Sequence, residues 1–230
     1  MNPTTPLIQT RQLRKTYVEG DATRCIFEQL DLSIQRGESV ALLGRSGSGK
    51  STLLNLISGI DLPDAGQVEV NGQTINTLDE QERTRFRRRH VGFVFQFFNL
   101  IPTLTVEENL LLPLELNGLN NAEQRQQALL MLDQVGLGAR RASFPEHLSG
   151  GEQQRLACIR ALVHQPMVLL ADEPTGNLDA ETGHQVLELL LQLHQQAGTT
   201  VLMVTHSREV AARADRVLLL DAGRIEEISL

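Results

Sequence analysis

Short, nearly continuous apolar runs at residues 40–43, 168–171 and 200–205 alternate with longer stretches in which apolar residues recur at helical spacing. Runs of the first kind suit strands that a parallel sheet buries on both faces. Of the second kind are residues 51–57 and 183–193, where Val186, Leu187, Leu189, Leu190, Leu191 and Leu193 supply a face dense enough to pack on a sheet. Strand then helix, repeated, predicts an α/β domain with a mainly parallel sheet. Residues 7–76 read differently. Segments 30–34 and 67–70 are strand-like, turn signals stand at Arg36-Gly37, Asp64-Ala65-Gly66 and Asn71-Gly72, and the Asn71-Gly72 pair between residues 68–70 and 73–75 predicts a hairpin. An antiparallel β layer is expected there. From residue 97 to 165 the pattern turns helical, at 106–112, 122–135 and 150–163, and strand-like runs bracket it on both sides. The expected organisation is one domain over residues 1–230, with a core of 1–96 and 166–230 and an inserted α-helical lobe of 97–165.

Composition narrows the classes open to such a domain. At 230 residues, 41% hydrophobic and 21% charged, the chain can bury a core without disulfides. It has no apolar run of the ~18 residues needed to cross a bilayer. Residues 1–10 carry neither a basic nor an apolar leader segment, so a cytoplasmic location is expected. Cys25 and Cys158 lie far apart without metal-ligand spacing, and Cys158 sits among Leu156, Ala157 and Ile159, which predicts a buried, reduced thiol. The net charge of −7 argues against a general nucleic-acid binder. The basic cluster Arg83, Arg85, Arg87, Arg88, Arg89 and His90 reads as a solvated helix face with ion pairs, or else as a surface for phosphates, headgroups or an acidic loop.

The sharpest chemical signal is Gly44-Arg45-Ser46-Gly47-Ser48-Gly49-Lys50-Ser51-Thr52, which directly follows the run 40–43 and opens a helix. Glycines let successive N–H groups turn inward, and the positive end of the helix reinforces the concavity against an anion. Lys50 adds a point charge for β and γ phosphates, and Ser51 offers a hydroxyl to Mg²⁺. Strand 168–171 ends in Asp172-Glu173, at the edge where open α/β sheets hold ligands. Asp172 is expected to hold Mg²⁺ and Glu173 to polarise the attacking water. A strand cap would be the bland alternative for either carboxylate. His206 follows strand 200–205 and is expected to contact the γ phosphate. At Leu148-Ser149-Gly150-Gly151-Glu152-Gln153-Gln154-Arg155 the segment Ser-Gly-Gly opens a helix and makes a second anion site. One nucleotide does not need two cradles. Two chains meeting head to tail, each giving Ser149, Gly150 and Gly151 to the phosphate held by the other, resolves the duplication.

These motifs, in this order, resemble the ABC ATPase family over essentially the whole chain: Tyr17, residues 44–52, Gln96, 148–155, 168–173, Gly176-Asn177-Leu178-Asp179 and His206. The resemblance implies a P-loop NTPase core, ATP and Mg²⁺ as cofactors, and a homodimer joined to an integral-membrane permease. It further implies that Tyr17 stacks on adenine, that Gln96 couples γ phosphate and Mg²⁺ to the helical lobe, and that Asp179 helps position the opposing subunit. More narrowly, residues 91–105 and 171–179 look like the lipoprotein-release and macrolide-exporter branch. Ser207 departs from the pattern, since many members carry Asp after the histidine. Phe97, Phe98, Leu100 and Ile101 lie just past Gln96 and either line a groove for a permease helix or belong to the core. The expected function is therefore an ATPase powering a permease from the inner face of the membrane. The alternative is an ABC-type ATPase that acts as a mechanical switch on nucleic acid or ribosomes. It is disfavoured by the single cassette, the lack of sustained heptads and the acidic balance. A P-loop kinase would leave Ser149 to Gly151 without a role.

Overall fold

The computed structural model describes residues 5–20 and 22–230. Asp21 and residues 1–4, the first part of the stretch read for a leader, lie outside the described residues. In chain order come β1 (Ile8–Glu19), β2 (Ala22–Ile34), β3 (Ser39–Leu43), α1 (Lys50–Ser58), β4 (Ala65–Val70), β5 (Gln73–Thr74) and α2 (Glu80–His90). Next are β6 (Val91–Val94), α3 (Val106–Leu116), α4 (Ala122–Gln134), α5 (Gly150–Leu162), β7 (Val168–Asp172) and α6 (Ala180–Ala197). The chain closes with β8 (Thr200–Thr205), α7 (Arg208–Ala211), β9 (Arg216–Asp221) and β10 (Arg224–Ile228). Two compact units form: one takes the chain up to Arg87 together with Thr200–Leu230, the other Arg88–Thr199.

In the first unit β3 runs parallel to both β8 and β9, and β10 returns antiparallel on β9. Every residue of β3 and β8 is buried, as their continuous apolar runs require. The expected antiparallel layer is a separate sheet in the order β2-β1-β4-β5. Its hairpin turns at Asn71 and Gly72, with φ of 52° and 78°, the left-handed pair that a tight two-residue connection needs. The mixed architecture, with parallel and antiparallel sheets, is that of a P-loop NTPase core.

The central strand β1 of that layer, paired with both β2 and β4, breaks the alternation rule in the middle. Ile8 and Thr10 are buried, and so are Leu13 and Lys15, an even spacing on each side of an odd step. A bulge absorbs the step: pairing shifts between Thr10 and Leu13, and Gln12 sits at φ 47°. The Gln12 N–H donates to Asp31 Oδ1 at 2.7 Å. Opposite it stands Gly66 at φ 83°, where a Cβ would lie 2.3 Å from the Gln12 carbonyl oxygen. Only glycine fits between these two backbones.

Helix α2 accounts for the basic cluster. Glu80 pairs with Arg83 and Arg87, and Arg87 also donates to the Gly59 carbonyl at 2.6 Å. Arg85, Arg88 and Arg89 are exposed. Burial, then the neighbouring Arg89 charge, holds the His90 imidazole below its ordinary pKa.

In the second unit β6 runs parallel to β7, from Val91 opposite Val168 to Val94 opposite Ala171. Helix α5 is its centre, with consecutive Leu156, Ala157, Cys158 and Ile159 all buried. Such burial all round marks a helix enclosed by its neighbours rather than one lying on a surface. The Cys158 thiol is fully enclosed, and burial pushes its pKa up to about 12. It stays protonated and inert, as the sequence led one to expect. Asn109 is equally enclosed in α3, where it donates to the carbonyls of Ile101, Leu104 and Thr105 and accepts from the Ile101 N–H. This one side chain fixes the loop that follows Gln96.

The bulge supplies a test of the β layer. Gly66→Ala, which combines a left-handed φ with a backbone clash, is expected to destabilise the protein by about 3 kcal/mol. Thermal unfolding should register this as a loss of roughly 6–12 °C for a chain of this size. An unchanged melting temperature would mean that β1 and β4 separate easily at this point.

Candidate functional site

Strand β3 is a rigid, buried stub, and the residues that leave its C-terminal end form the glycine loop. At Gly49, φ is 103° and a Cβ would lie 2.5 Å from the Ile26 side chain, so neither a left-handed backbone nor the space admits another residue. The Lys50 side chain folds back over the loop, Nζ donating to the carbonyls of Gly44 at 2.8 Å and Arg45 at 3.0 Å. Only 7% of Lys50 is exposed.

Helix α1 then begins in a way that sets it apart. Among the described residues α2 to α6 each open on a side-chain cap: Asp79, Thr105, Asn121, Ser149 and Asp179 accept from the first turn. At the start of α1, Gly49 offers no such cap, and the first turn holds no acidic residue. Its N–H groups keep their donor capacity and the helix keeps its full positive end. Beside them the Ser48 hydroxyl is buried with no protein partner. Unmatched donors at a helix start and a buried, unpaired hydroxyl fit a phosphate group. Arg45, Ser46 and Ser51 are exposed at this mouth and Thr52 is half-buried.

Tyr17 lies on β1 of the same unit. Its hydroxyl donates to Asp61 Oδ2 at 2.7 Å, while Lys15 Nζ donates to Asp61 Oδ1 at 2.7 Å and stands 5.0 Å from the Tyr17 ring centroid. Burial, then the bond to Asp61, raises the phenol above its ordinary pKa. At Asp61 burial acts upward too, but the donors Lys15, Tyr17 and the Leu62 N–H outweigh it and hold the carboxyl below its usual range. The ring is therefore clamped at its polar end and steered by a cation at its face. His206 leaves β8 directly after Thr205, which pairs with Leu43 of β3. Gly44 and His206 thus emerge from neighbouring strands at the same edge, and His206 is exposed. Ser207, the departure from the family pattern, caps α7 through the Val210 N–H.

In the second unit the ends of β6 and β7 share an edge in the same way, since Val94 stands opposite Ala171. Gln96 lies just past β6, Asp172 ends β7 and Glu173 follows it; all three are half-buried. Glu173 sits at φ 47°, an uncommon conformation for a residue with a Cβ and one that clusters at functional positions. Gln96 Nε2 donates to Asn177 Oδ1 at 3.2 Å, and Asn177 Nδ2 returns a bond to the Gln96 carbonyl at 2.9 Å. That reciprocal pair leaves the Gln96 amide oxygen available. Ser149 opens α5 with a capping box, its N–H and hydroxyl both donating to Glu152 at 2.8 Å. The Ser149 N–H, then its hydroxyl, holds the Glu152 carboxyl below the usual range. Gly150 is half-buried and Gly151 buried behind it. Asp179 caps α6 through the Thr182 N–H at 3.0 Å, which lowers its pKa. Phe97 is 71% exposed and Ile101 37%, while Phe98 and Leu100 are half-buried.

Two residues of consequence escape a reading by motif, and the bracing part of a third, Gln154, is not stated by the motif that contains it. Lys15 and Asp61 anchor Tyr17 from positions that look like ordinary surface charge. Gln154, wholly buried in α5, donates to the carbonyls of Pro174 and Phe95 and so joins α5 to the segments leaving β7 and β6. The one available signal was a glutamine among apolar helix positions. A polar residue there must find partners.

Comparison with known proteins identifies relatives of the whole chain. The model of the ABC transporter family matches residues 27–176. An uncharacterized ABC transporter ATP-binding protein of Mycobacterium tuberculosis strain H37Rv is 53% identical over 220 residues, covering 96% of this chain and 89% of its own length. The lipoprotein-releasing system ATP-binding protein LolD of Xanthomonas oryzae pv. oryzae is 47% identical over 225 residues, covering 98% and 92%. Among solved structures, the dimeric post-hydrolysis state of the ATP-binding cassette MJ0796 bound to ADP and Pi aligns with a TM-score of 0.86 at 40% identity, covering 97% of this chain and 99% of that one. A family match over more than half of the residues, carried by relatives that align almost end to end, makes this chain a member of the ABC transporter family.

Proposed function

We propose that this chain binds and hydrolyses ATP as the motor subunit of a transporter, two copies closing head to tail around two nucleotides to drive a separate membrane permease. The observation that carries the reading is the uncapped start of α1 with the buried, unpartnered Ser48 hydroxyl beside it. Phosphates of ATP satisfy both. Lys50 supplies the point charge of the loop, Tyr17 stacks on the base, and Gly44 to Thr52 wrap the phosphates. On this reading Mg²⁺ would be held by Ser51, Gln96 and Asp172, whose hydroxyl, amide oxygen and carboxylate are oxygen donors of the kind it takes, and would supply positive charge against the phosphates.

In this reading Glu173 accepts the proton of the attacking water, and His206 and Gln96 sense the γ phosphate from the ends of β8 and β6. Ser149, Gly150 and Gly151 of one copy meet the phosphate held by the other, with Asp179 alongside. The dimeric state of the MJ0796 cassette supports the pairing of two copies. Kinship with LolD, the ATP-binding protein of a lipoprotein-releasing system, supports export or transmembrane force transmission over import. Residues 97–165 then act as the lobe that passes closure to the permease, with exposed Phe97 and Ile101 as the receiving face. The chain would work at the inner face of the membrane, held by its permease; among the described residues no helix is long and apolar enough to cross it.

Glu173→Gln is expected to reduce phosphate release about 10²- to 10³-fold while the chain accumulates as an ATP-bound dimer in light scattering. Turnover at the wild-type rate would remove Glu173 from the mechanism. Lys50→Ala and Ser149→Arg should each be inactive alone, yet a mixture should regain activity, because the mixed dimer keeps one intact composite site. Absence of rescue at every ratio would sink the head-to-tail arrangement. For the coupling face, Phe97→Asp with Ile101→Asp should release the chain from washed membranes without altering ATP binding. Undiminished membrane retention would rule that face out.

A further inference from the structure

We infer that Arg24, which lies outside every motif of the chain, is a positioning residue of the phosphate loop that holds the Gly47 carbonyl out of the anion site. The inference rests on the nucleotide reading above. Each peptide that offers an N–H to a phosphate also carries a carbonyl of the opposite partial charge, and a loop of this kind must dispose of its carbonyls. Those of Gly44 and Arg45 are taken by Lys50. The Gly47 carbonyl accepts from the Arg24 guanidinium at 2.6 Å. Because a trans peptide is planar, fixing that oxygen also fixes the direction of the Ser48 N–H on its far side. Ser48 is the residue whose buried hydroxyl has no protein partner.

The origin of Arg24 supports the assignment. It stands on β2 directly opposite Tyr17 of β1, and directly opposed residues of an antiparallel pair share a face. The two positions thus project together, one to the base platform and the other to the outer turn of the loop. Ser48 N–H donates to the Arg45 carbonyl at 3.2 Å, a single weak bond across that turn. Arg24 braces the same turn from the other strand layer. Two cations from different elements, Lys50 from within and Arg24 from without, thus take the carbonyls of Gly44, Arg45 and Gly47.

The test uses the purified chain, a fluorescent ATP analogue, and displacement by inorganic tripolyphosphate, which has phosphates but no base or ribose. Arg24 is exposed, so its charge-assisted bond is screened by solvent, and Arg24→Ala is expected to weaken binding only about three- to tenfold. The same factor should apply to the nucleotide and to tripolyphosphate. Arg24→Lys, which keeps the charge and a donor, should recover most of the loss, and the unfolding temperature of the free protein should not move. Wild-type affinity in Arg24→Ala overturns the inference. So does a loss confined to the nucleotide, which would assign Arg24 to the base or ribose, and so does a loss that tracks a lowered unfolding temperature. Lys50→Ala serves as the reference. If it abolishes binding while Arg24→Ala is silent, this inference alone fails; if it too binds normally, the nucleotide reading of the loop fails with it.

Discussion

The positive end of α1 carries no side-chain cap, and its free amide donors are the constraint around which the first unit is organised. A buried helix start without partners is costly, so what surrounds it has to keep it accessible and rigid. Rigidity comes from β3, whose every residue is buried between its parallel neighbours β8 and β9. Access comes from a loop that holds its carbonyls away from the concavity, through Lys50 at Gly44 and Arg45 and through Arg24 at Gly47. The register of β3 with β8 then brings His206 to the same edge without any further device.

In the second unit the residues around the strand ends are braced by specific partners: Ser149 with Glu152, Gln96 with Asn177, Asp179 with the first turn of α6, and the Gln154 amide nitrogen with two loop carbonyls. Groups paired in this way hold loops in register while leaving selected atoms, such as the Gln96 amide oxygen, available.

Elements with one uninterrupted periodicity were legible from the sequence, and the motif residues were legible as positions on the ends of such elements. Strands β3, β7 and β8 and the helices α3 to α6 fall within a few residues of the apolar runs that announce them. Other elements were hidden for identifiable reasons. In β1 the bulge at Gln12 shifts the alternation by one residue and makes the strand read as irregular. The β9–β10 hairpin turns on Ala222 and Gly223, with φ of 46° and 75°, and alanine gives no warning of a left-handed turn. Helix α2 buries only Phe86, so it has no apolar stripe to detect. Arg24, Lys15 and Asp61 act through partners far away in sequence, and spacing along the chain carries no record of such contacts.

The bulge in β1 also has a meaning beyond local geometry. Thr10 faces the interior of the layer, and five residues later Lys15 does too, although an odd separation in a regular strand would point the two apart. The extra residue acts as a phase converter between the half of the strand that packs the layer and the half that bears Lys15 and Tyr17. The two halves are therefore coupled by parity. A one-residue insertion or deletion between Thr10 and Leu13 would leave the composition and the apolar content of the strand nearly intact. It would nonetheless invert the side chains that follow, so in this stretch the length of the chain is as much a determinant of the surface that bears Tyr17 as the identity of its residues.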